Sequence, residues 1–324
     1  MRESAVALAS TARDDERARM REDVRAGLLR TGQKELPPTY FYDARGSMLF
    51  DEITRTSEYY PTRSERALLE AHAHSLIALS GARSLAELGA GTATKSRILI
   101  RALIAGGPAQ YLPLDVDEAT LAETARDLRA EFPTLEVVPI AADMRDHVAA
   151  TGARHPLLYA FLGSTIGNFD PCSARELLSS IRASLRPTDR LLLGLDLIKD
   201  TSMLNAAYND AQGITAAFNL NVLAVLNREL GADFTLPAFS HRAFYNEALS
   251  RIEMHLVARE DMRVTIPHVG SVALYAGETI RTEISCKYDH ASASLLLSDA
   301  GFRMTHWLVD DPALFALAMA EPFA

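Results

Sequence analysis

The spacing of apolar residues changes along the chain and predicts where helix and sheet lie. Residues 3–30 place apolar side chains at helical intervals among many charges, which indicates a solvated helix. From Leu85 to Ile198, short apolar runs alternate with helix-forming segments, a pattern typical of a parallel, doubly wound α/β sheet. Residues 199–288 interrupt the alternation with helices and then extended segments, so we interpret them as an inserted α+β lobe.

The individual elements follow from the same pattern, and Ser64 is expected to cap the helix that precedes the sheet. The predicted strands start at Leu85 and continue with residues 111–117, 137–144, 157–163 and 190–198, with helices over 64–80, 94–105 and 119–132. The inserted lobe has extended segments at 250–257, 263–267 and 278–288, and a helix near 291–300 with a hairpin of strands 302–309 and 314–319 completes the sheet.

The length of 324 residues favours two lobes or one domain with a large insertion. We expect one domain to comprise residues 63–198 and 289–324, which carry the alternating pattern. Residues 199–288 are expected to form an inserted substrate lobe.

A glycine-containing turn follows the first predicted strand and is the strongest local signal of a ligand site. Gly89 and Gly91 can adopt backbone angles closed to other residues and let a ligand lie against the main chain. Thr94 stands where a third glycine would complete a dinucleotide motif, which argues against a pyrophosphate ligand. Glu87 suits a positively charged ligand such as S-adenosylmethionine (SAM). An ordinary strand-to-helix turn remains the alternative.

Polar residues end the next strands as well. Asp115, 24 positions after Gly91, is placed to accept hydrogen bonds from ribose hydroxyls. Asp143 could accept from an adenine amino group while Met144 packs on the ring. Asn168, after the fourth strand, could hold a small polar substrate. The alternative for each aspartate is a helix cap, and for Asn168 a structural turn.

Composition limits the possible partners and environment. The chain is 48% hydrophobic and 23% charged, with a formal charge of -9, which disfavours nucleic acid and anionic membranes as ligands. The cysteines Cys172 and Cys286 are too few and too far apart for a disulfide framework or thiolate metal site. The sequence shows neither a signal-peptide segment nor a run of about 18 apolar residues, so we expect a cytoplasmic protein. We also expect a monomer that binds a small molecule and no metal ion.

A set of segments along nearly the whole chain resembles the ergothioneine-pathway histidine N-alpha-methyltransferase family. The matching segments are Leu36-Pro37-Pro38, Phe41-Tyr42-Asp43, Glu58-Tyr59-Tyr60-Pro61-Thr62-Arg63, Glu87-Leu88-Gly89 with Gly91-Thr92, Asp115-Val116-Asp117, Phe161 to Asn168, Asp196-Leu197, Lys199-Asp200, and Glu283 with Ser285-Cys286-Lys287. The resemblance implies a Rossmann-like class I SAM-dependent methyltransferase that trimethylates the α-amino group of L-histidine to hercynine, the first step of ergothioneine biosynthesis.

The resemblance also implies that residues 1–62 and 199–288 together form a histidine-binding lobe on the methyltransferase fold. It further implies roles for individual residues. Asn168 and Tyr208 match the pair that holds the substrate carboxylate. Glu283 and Ser285 match the groups that bind imidazole, supported by Tyr59. The remaining matches are Met254 as a pocket-lining residue, Tyr42 near the α-amino group, and Gly89, Lys95, Asp115, Asp143 and Met144 at the cofactor, where some relatives carry Phe in place of Met144.

Methyl transfer by direct displacement requires alignment of the amine with the methyl donor and no metal. The amine must be neutral, and its proton is expected to leave through Tyr42 or to water. Two alternatives stay open: methylation of another amino acid or small amine, and a non-catalytic SAM-binding protein. A nucleic-acid amino-methyltransferase is disfavoured, because Ile166-Gly167-Asn168-Phe169 lacks the paired prolines usual after the fourth strand and a basic surface is missing.

Overall fold

The structure is a computed structural model that describes residues 2–144 and 148–323, with side chains from residue 14 onward. Residues 1, 145–147 and 324, which the expected domain ranges include, lie outside the described residues. Two compact units are present: Met1–Tyr59 with Asp200–Ile284, called the first unit, and Tyr60–Lys199 with Ser285–Ala324, called the second unit.

The elements are numbered in chain order. Over the described ranges, the α-helices are α1 (Arg2–Leu28), α2 (Ala44–Ile53), α3 (Pro61–Ser80), α4 (Ser96–Ile104), α5 (Glu118–Glu131), α6 (Pro171–Ser184), α7 (Thr201–Ala207), α8 (Ile214–Leu230) and α9 (His290–Asp299). The strands are β1 (Lys34–Glu35), β2 (Ser84–Leu88), β3 (Ala109–Asp115), β4 (Leu135–Val137), β5 (Ile140–Ala141), β6 (Leu157–Phe161), β7 (Arg190–Asp196), β8 (Phe239–Asn246), β9 (Arg251–Ala258), β10 (Met262–Ile266), β11 (Gly270–Leu274), β12 (Thr279–Cys286), β13 (Phe302–Val309) and β14 (Phe315–Pro322). Short 3₁₀ turns cover Pro38–Phe41, Thr165–Asn168, Leu236–Ala238 and Glu247–Leu249.

The second unit is built on one mostly parallel sheet with the strand order β13-β14-β7-β6-β2-β3-β4, and β5 pairs with β3. Strands β2, β3, β4, β6 and β7 pair in parallel, whereas β14 runs antiparallel to both β7 and β13. The chain order reverses between β2 and β6. In open sheets of this kind, ligands bind at the carboxyl ends of the strands on either side of such a reversal.

The sheet forms because its strands are apolar on both faces. Every residue of β2 and β6 is buried, as is all of β7 except Arg190, so the strands require helices on each side. Helices α3 and α4 supply part of that cover through Leu69, Leu76, Leu99 and Leu103. The predicted α/β fold with its closing hairpin is confirmed.

The first unit combines a sheet of order β1-β12-β9-β8 with a separate β10-β11 hairpin and with helices α1, α2, α7 and α8. Strands β8 and β9 are antiparallel, and β1 pairs in parallel with β12. Helix α8 is apolar over most of its surface and is correspondingly buried at Phe218, Val222 and Leu226.

Two predictions about local structure were wrong. Helix α3 begins at Pro61 with Tyr60 in the N-cap position, so Ser64 does not cap it. Proline is favoured in the first turn because its fixed φ suits a helix and its missing N–H is not needed there. The predicted strand 137–144 is instead two short segments, β4 and β5, separated at Pro139, which cannot donate to a strand ladder.

The predicted extended segments of the inserted lobe correspond to β9, β10 and β12, but strands β8 and β11 were missed. Strand β8 alternates weakly, because polar and aromatic residues are mixed in Phe239–Asn246 and most of them are only half-buried. Strand β11 is exposed at Gly270 and Ser271 and lacks a strong apolar run.

Candidate functional site

The predicted glycine turn joins β2 to α4 beside the reversal of strand order. Gly89 has φ of 70° and Gly91 has φ of 49°, both in the left-handed region that favours glycine. A Cβ atom at Gly91 would meet nothing within 4 Å, and one at Gly89 would meet only Met144 Cε, at 3.8 Å. The main chain of the turn is therefore accessible to a ligand.

Asp115 ends β3 next to this turn. Its Oδ2 accepts a hydrogen bond from Gly91 N at 2.8 Å, and its Oδ1 accepts from Asp117 N at 3.1 Å. These bonds fix the carboxylate, and an ionised carboxylate has about four acceptor sites, so it can still accept from hydroxyl groups. The alternative role as a helix cap belongs to the neighbouring Asp117, which accepts from Ala119 N and Thr120 N of α5.

Asp143 and Met144 follow β5, and both are half-buried. Met144 Cε lies 3.8 Å from the position that a Cβ atom on Gly89 would take, so the methionine side chain lies against the glycine turn. Asp115, Met144 and the two glycines thus lie together, as expected of a site that holds one ligand.

Glu87, predicted to suit a cationic ligand, is held by other groups of the protein. Its side chain is buried and accepts hydrogen bonds from Tyr111 Oη, at 2.5 Å, and from Ser96 Oγ. Burial raises the pKa of the Glu87 carboxyl to about 7, although the bonds from Ser96 and Tyr111 act in the opposite direction. The residue holds β2, β3 and the start of α4 together.

Lys95, predicted to contact the cofactor, forms an ion pair with Glu65 of α3, and the Glu65 carboxylate is fully buried. Glu65 Oε1 also accepts from Gly163 N, at 2.7 Å, in the loop after β6. One carboxylate therefore connects the loops that follow β2 and β6. Sequence reasoning missed Glu65, although it lies three and four positions before the buried Leu68 and Leu69 and so on the apolar face of the helix.

Asn168 ends the 3₁₀ turn after β6 and is half-buried. A Cβ atom at the preceding Gly167 would lie 2.8 Å from the carbonyl oxygen of Cys286, so only glycine allows this approach. Because Asn168 follows Gly167 and Ser285 precedes Cys286, the approach brings these two predicted substrate residues to one place in the second unit.

Ser285 lies next to a buried polar cluster formed by Tyr60, Asp196, Lys199 and Lys287. Tyr60 Oη donates to Asp196 Oδ1, at 2.8 Å, and Lys199 Nζ donates to Tyr60 Oη, at 2.7 Å, and to Asp196. Lys287 Nζ lies 2.8 Å from Asp196 Oδ2. The sequence matches had pointed to these residues, but their contacts with one another were missed.

The pKa values in this cluster are shifted. Burial lowers the pKa of Lys199 to about 8, against the attraction of Asp196. Burial acts to raise the pKa of Asp196, but the two lysine charges outweigh it and hold that pKa below its usual value. The cluster therefore carries an ionised aspartate between two lysines.

In the first unit, the predicted substrate residues Tyr42, Tyr59 and Tyr208 belong to one aromatic cluster. Ring centroids lie 5.7 Å apart for Tyr42 and Phe50, 6.3 Å for Phe50 and Tyr59, and 6.2 Å for Tyr59 and Tyr208, all edge to face. Phe218 packs against Tyr42 and Phe50. Such a cluster offers the electron-rich ring faces that attract alkylammonium groups.

The hydroxyl of Tyr42 experiences a different environment from the rest of the residue, 45% of which is exposed. Burial raises the pKa of the hydroxyl far above its ordinary value, and Glu283 and Tyr208 raise it further. Tyr42 thus remains a neutral phenol at physiological pH. The shift also places Glu283 within electrostatic range of Tyr42.

The other predicted substrate residues of this unit occupy β9, β12 and the end of α7. Glu283 is half-buried in β12. Tyr208 is buried, and its carbonyl oxygen lies 2.9 Å from His241 Nε2. Met254 is 1% exposed and packs within the unit.

Asp43 follows Tyr42 and caps helix α2, and it gives a stability prediction. Its carboxylate accepts from Gly46 N, Asn221 Nδ2 and Arg228 Nη1. Burial acts to raise the pKa of Asp43, but these hydrogen bonds outweigh it and lower the pKa. An Asp43→Ala variant is expected to lose about 1–2 kcal/mol of unfolding free energy at pH 7 in urea denaturation.

The pH dependence of this difference has a definite sign. The folded-state pKa of Asp43 is depressed, so its contribution is complete above the unfolded-state value of about 3.9 and is lost as the pH falls through the folded-state value. The gap between wild type and Asp43→Ala should therefore shrink below about pH 4. Asp51→Ala, an exposed change on the same helix, is the control, and a gap independent of pH would contradict the assignment.

The strand order and glycine turn define the second unit as a class I SAM-dependent methyltransferase fold. A solved SAM-dependent methyltransferase from Clostridium acetobutylicum has the same fold, with TM-score 0.50 at 9% identity, covering 86% of this chain and 99% of that one. The family described as "Histidine-specific methyltransferase, SAM-dependent" matches residues 20–322, and the chain belongs to this family.

Two relatives agree with this assignment over almost their entire length. The histidine N-alpha-methyltransferase of Mycolicibacterium smegmatis is 46% identical over 93% of this chain and 94% of its own. The protein of the same name from Mycobacterium tuberculosis is 42% identical over the same shares. The resemblance found in the sequence is therefore confirmed.

The comparisons and the geometry agree on the cofactor. SAM is the methyl donor of this family. The nucleoside part of SAM fits this region, because the main chain at Gly91 is accessible and the fixed Asp115 carboxylate can accept further hydrogen bonds. The described residues contain no cluster of three or more His, Cys, Asp or Glu side chains suited to a metal ion. Among the helices described, none combines the length and apolar character needed to cross a membrane.

Proposed function

We propose that this protein transfers methyl groups from SAM to the α-amino nitrogen of L-histidine three times, forming hercynine as the first step of ergothioneine biosynthesis. The observation that carries the proposal is the match to histidine N-alpha-methyltransferases across 93% of the chain.

For the cofactor, we propose Gly89, Lys95, Asp115, Asp143 and Met144 as binding residues. Bound SAM supplies an electrophilic methyl group on a sulfonium. Asp115 would accept from the ribose hydroxyls, Asp143 from the adenine amino group, and Met144 would pack on the adenine ring. Lys95 would act through the loop geometry that its pair with Glu65 maintains.

For the substrate, we propose Asn168 and Tyr208 as neutral donors to the carboxylate, and Glu283 and Ser285 as partners of the imidazole ring. Tyr59 would support the imidazole site and Met254 would shape it. A carboxylate facing a ring N–H forms a charge-assisted hydrogen bond, roughly twice as strong as a neutral one, which favours histidine over amino acids without that group.

Transfer by direct displacement needs the amine lone pair in line with the methyl group, and proximity and alignment supply most of the acceleration. We propose that Tyr42 touches the amine through its hydroxyl oxygen and holds this alignment as a hydrogen-bond acceptor in the first two transfers, in which the neutral amine still carries an N–H. Its raised pKa disfavours a phenolate base, so the amine proton leaves to water. The aromatic cluster would then stabilise the methylammonium product as methyl groups accumulate.

The Tyr42→Phe variant tests this role. Loss of one neutral hydrogen bond, worth about 0.5–1.5 kcal/mol, should lower kcat about two- to tenfold. The shape of the pH-rate profile should stay the same, since Tyr42 does not titrate below pH 10. Tyr275→Phe, at an exposed tyrosine of the same unit, is the control. Full activity of Tyr42→Phe at every pH would remove Tyr42 from the mechanism.

The product itself tests the function. Incubation with SAM and L-histidine should yield species carrying one, two and finally three added methyl groups, separable by mass spectrometry. Fragmentation should place all three on the α-nitrogen. Ring methylation would contradict the proposed placement of imidazole against Glu283 and Ser285.

We also propose that the enzyme works as a cytoplasmic monomer on a small molecule, without nucleic-acid or membrane partners. Both cysteines are free thiols, Cys172 exposed and Cys286 buried, in keeping with a reducing compartment. The net charge of -9 gives no general attraction for phosphate backbones.

A further inference from the structure

A chain of buried hydrogen bonds runs through the first unit between two of the residues proposed to bind histidine. His241 Nε2 of β8 lies 2.9 Å from the carbonyl oxygen of Tyr208, and His241 Nδ1 lies 2.9 Å from Asn219 Nδ2 of α8. Thr282 Oγ1 of β12 donates to Asn219 Oδ1, at 2.6 Å. Thr282 precedes Glu283, so the chain connects the residue proposed to hold the substrate carboxylate with the strand of the residue proposed to bind imidazole.

The donors and acceptors of this chain allow one arrangement of the histidine ring. Asn219 Nδ2 also donates to the carbonyl oxygen of His255, at 3.1 Å, which fixes the orientation of the amide. An amide nitrogen only donates, so His241 Nδ1 must be the acceptor from Asn219. A carbonyl oxygen only accepts, so His241 Nε2 must carry the hydrogen that is donated to Tyr208. The ring of His241 is therefore neutral.

Protonation of His241 would break this chain. Nδ1 would then carry a hydrogen directed at the Asn219 amide group, which has no lone pair to accept it. Asn219 is 0% exposed and Thr282 is 1% exposed, so water does not readily replace a lost partner. A buried polar group without its hydrogen bond is unfavourable, so the native arrangement depends on the neutral ring.

The groups around His241 agree with a neutral ring. Asp210, which follows α7, is the charged group that acts on the ring, and it favours protonation, as does the carbonyl of Tyr208. Burial outweighs both and lowers the pKa of His241 below its ordinary value. Leu256, its partner on β9, is apolar. Because side chains alternate along a strand, the nearby polar side chains of β8 and β9 project from the other face of the sheet: Arg242, Glu253 and His255.

We propose that His241 and Asn219 are positioning residues, which hold Tyr208 and the strand of Glu283 in place for L-histidine only while His241 is neutral. The inference rests on the proposed function. The proposed contacts with the carboxylate and the ring are made in the ground state and in the transition state alike. Loss of the network should therefore raise KM for L-histidine and leave kcat nearly unchanged.

The test measures kcat and KM for L-histidine in wild type and in His241→Gln, from pH 8 down to the lowest pH at which both proteins remain folded. Glutamine can donate to the Tyr208 carbonyl, but it has no ring nitrogen that titrates. At pH 8 the variant should have a KM about tenfold higher, because Asn219 loses its acceptor, and a kcat within about twofold of wild type.

The pH dependence carries the second readout. Below pH 6.5, the ordinary pKa of histidine, wild type progressively loses the same bond, so the ratio of the two KM values should fall toward one. Titration of the substrate affects both proteins equally and cancels in this ratio. The control is His255→Gln, at a buried histidine on the other face of the sheet that pairs with Glu253, and its KM should follow the wild-type pH profile.

Variants at the far end of the chain complete the test. Thr282→Val removes the hydroxyl that donates to Asn219 and should raise KM as His241→Gln does, whereas Thr282→Ser keeps the hydroxyl and should stay close to wild type. The double variant should lose less than the product of the two single effects, since both act through one network.

A purely structural role would lower kcat through loss of active protein and leave KM unchanged, which would overturn the inference. A ratio of KM values that does not change with pH would overturn it too. If His241→Gln does not fold, an unchanged KM in Thr282→Val would have the same consequence. Absence of histidine methylation in wild type would instead refute the proposed function.

Discussion

Replacing Glu283 with alanine is expected to lower kcat/KM for L-histidine about 10- to 150-fold. The variant removes the acceptor of a charge-assisted hydrogen bond, worth about 1.5–3 kcal/mol, and leaves the ring N–H unsatisfied. Steady-state kinetics on histidine and on amino acids without a ring N–H measures the effect. Selectivity for histidine over those amino acids should fall by a similar factor.

Two variants sharpen this test. Glu278 lies just before strand β12, and its carboxylate pairs with Lys34. For Glu278→Ala, kcat/KM should stay within about twofold of the wild-type value. Glu283→Gln keeps an acceptor oxygen without the charge and should give an intermediate loss. If Glu283→Ala retained both rate and selectivity, the imidazole site would have to be assigned to other residues.

Replacing Asp115 with alanine is expected to weaken binding of SAM and of its product S-adenosylhomocysteine about 100-fold. The change removes the proposed ribose acceptor and also the bonds from Gly91 N and Asp117 N that hold the glycine turn. Hydrogen bonds to charged groups contribute about 1.5–3 kcal/mol each, so the loss of two ribose contacts, about 3 kcal/mol at the lower limit, corresponds to roughly 100-fold or more. Titration calorimetry measures it.

The matched control is Asp117→Asn, two positions away. Asp117 caps α5, and asparagine caps helices nearly as well, so cofactor affinity and stability should both be close to wild type. A folded Asp115→Ala protein with unchanged cofactor affinity would show that the ribose is bound elsewhere.

The sheet of the second unit could be predicted because its signal is local. Strands β2, β6 and β7 are apolar runs buried on both faces, and the segments between them have helical spacing. Local signals failed where one residue breaks the pattern, as at Pro139 between β4 and β5. They also failed to predict strand β8, which becomes evident only from its antiparallel pairing with β9 in the fold.

The candidate site was predictable in part. The glycine turn and Asp115 were found from spacing, and the structure places them in direct contact. The partners of Glu65 and Lys287 could not be found in this way, because Glu65 contacts Gly163 and Lys287 contacts Asp196 across about 90 or more intervening residues. Only the folded sheet brings such groups together. The roles of the proposed substrate residues remain predictions.

Glu87 shows that a pattern typical of a ligand contact can also mark a structural contact. An acid at the end of an apolar strand beside a glycine turn is typical of a ligand contact. Here Ser96, nine positions along the chain, and Tyr111, on the neighbouring strand β3, donate hydrogen bonds to the carboxyl and make it part of the buried structure. A side chain that ends a strand can point into the fold as readily as toward a ligand.

The most direct test of the central claim is a competition assay in which the protein meets SAM and an equimolar mixture of the common amino acids, with the products identified by mass spectrometry. The account predicts that histidine is converted to its trimethylated form while the other amino acids remain unmodified. Methylation of a different amino acid would contradict the roles given to Glu283 and Ser285, and absence of any methylated product would contradict the catalytic function itself.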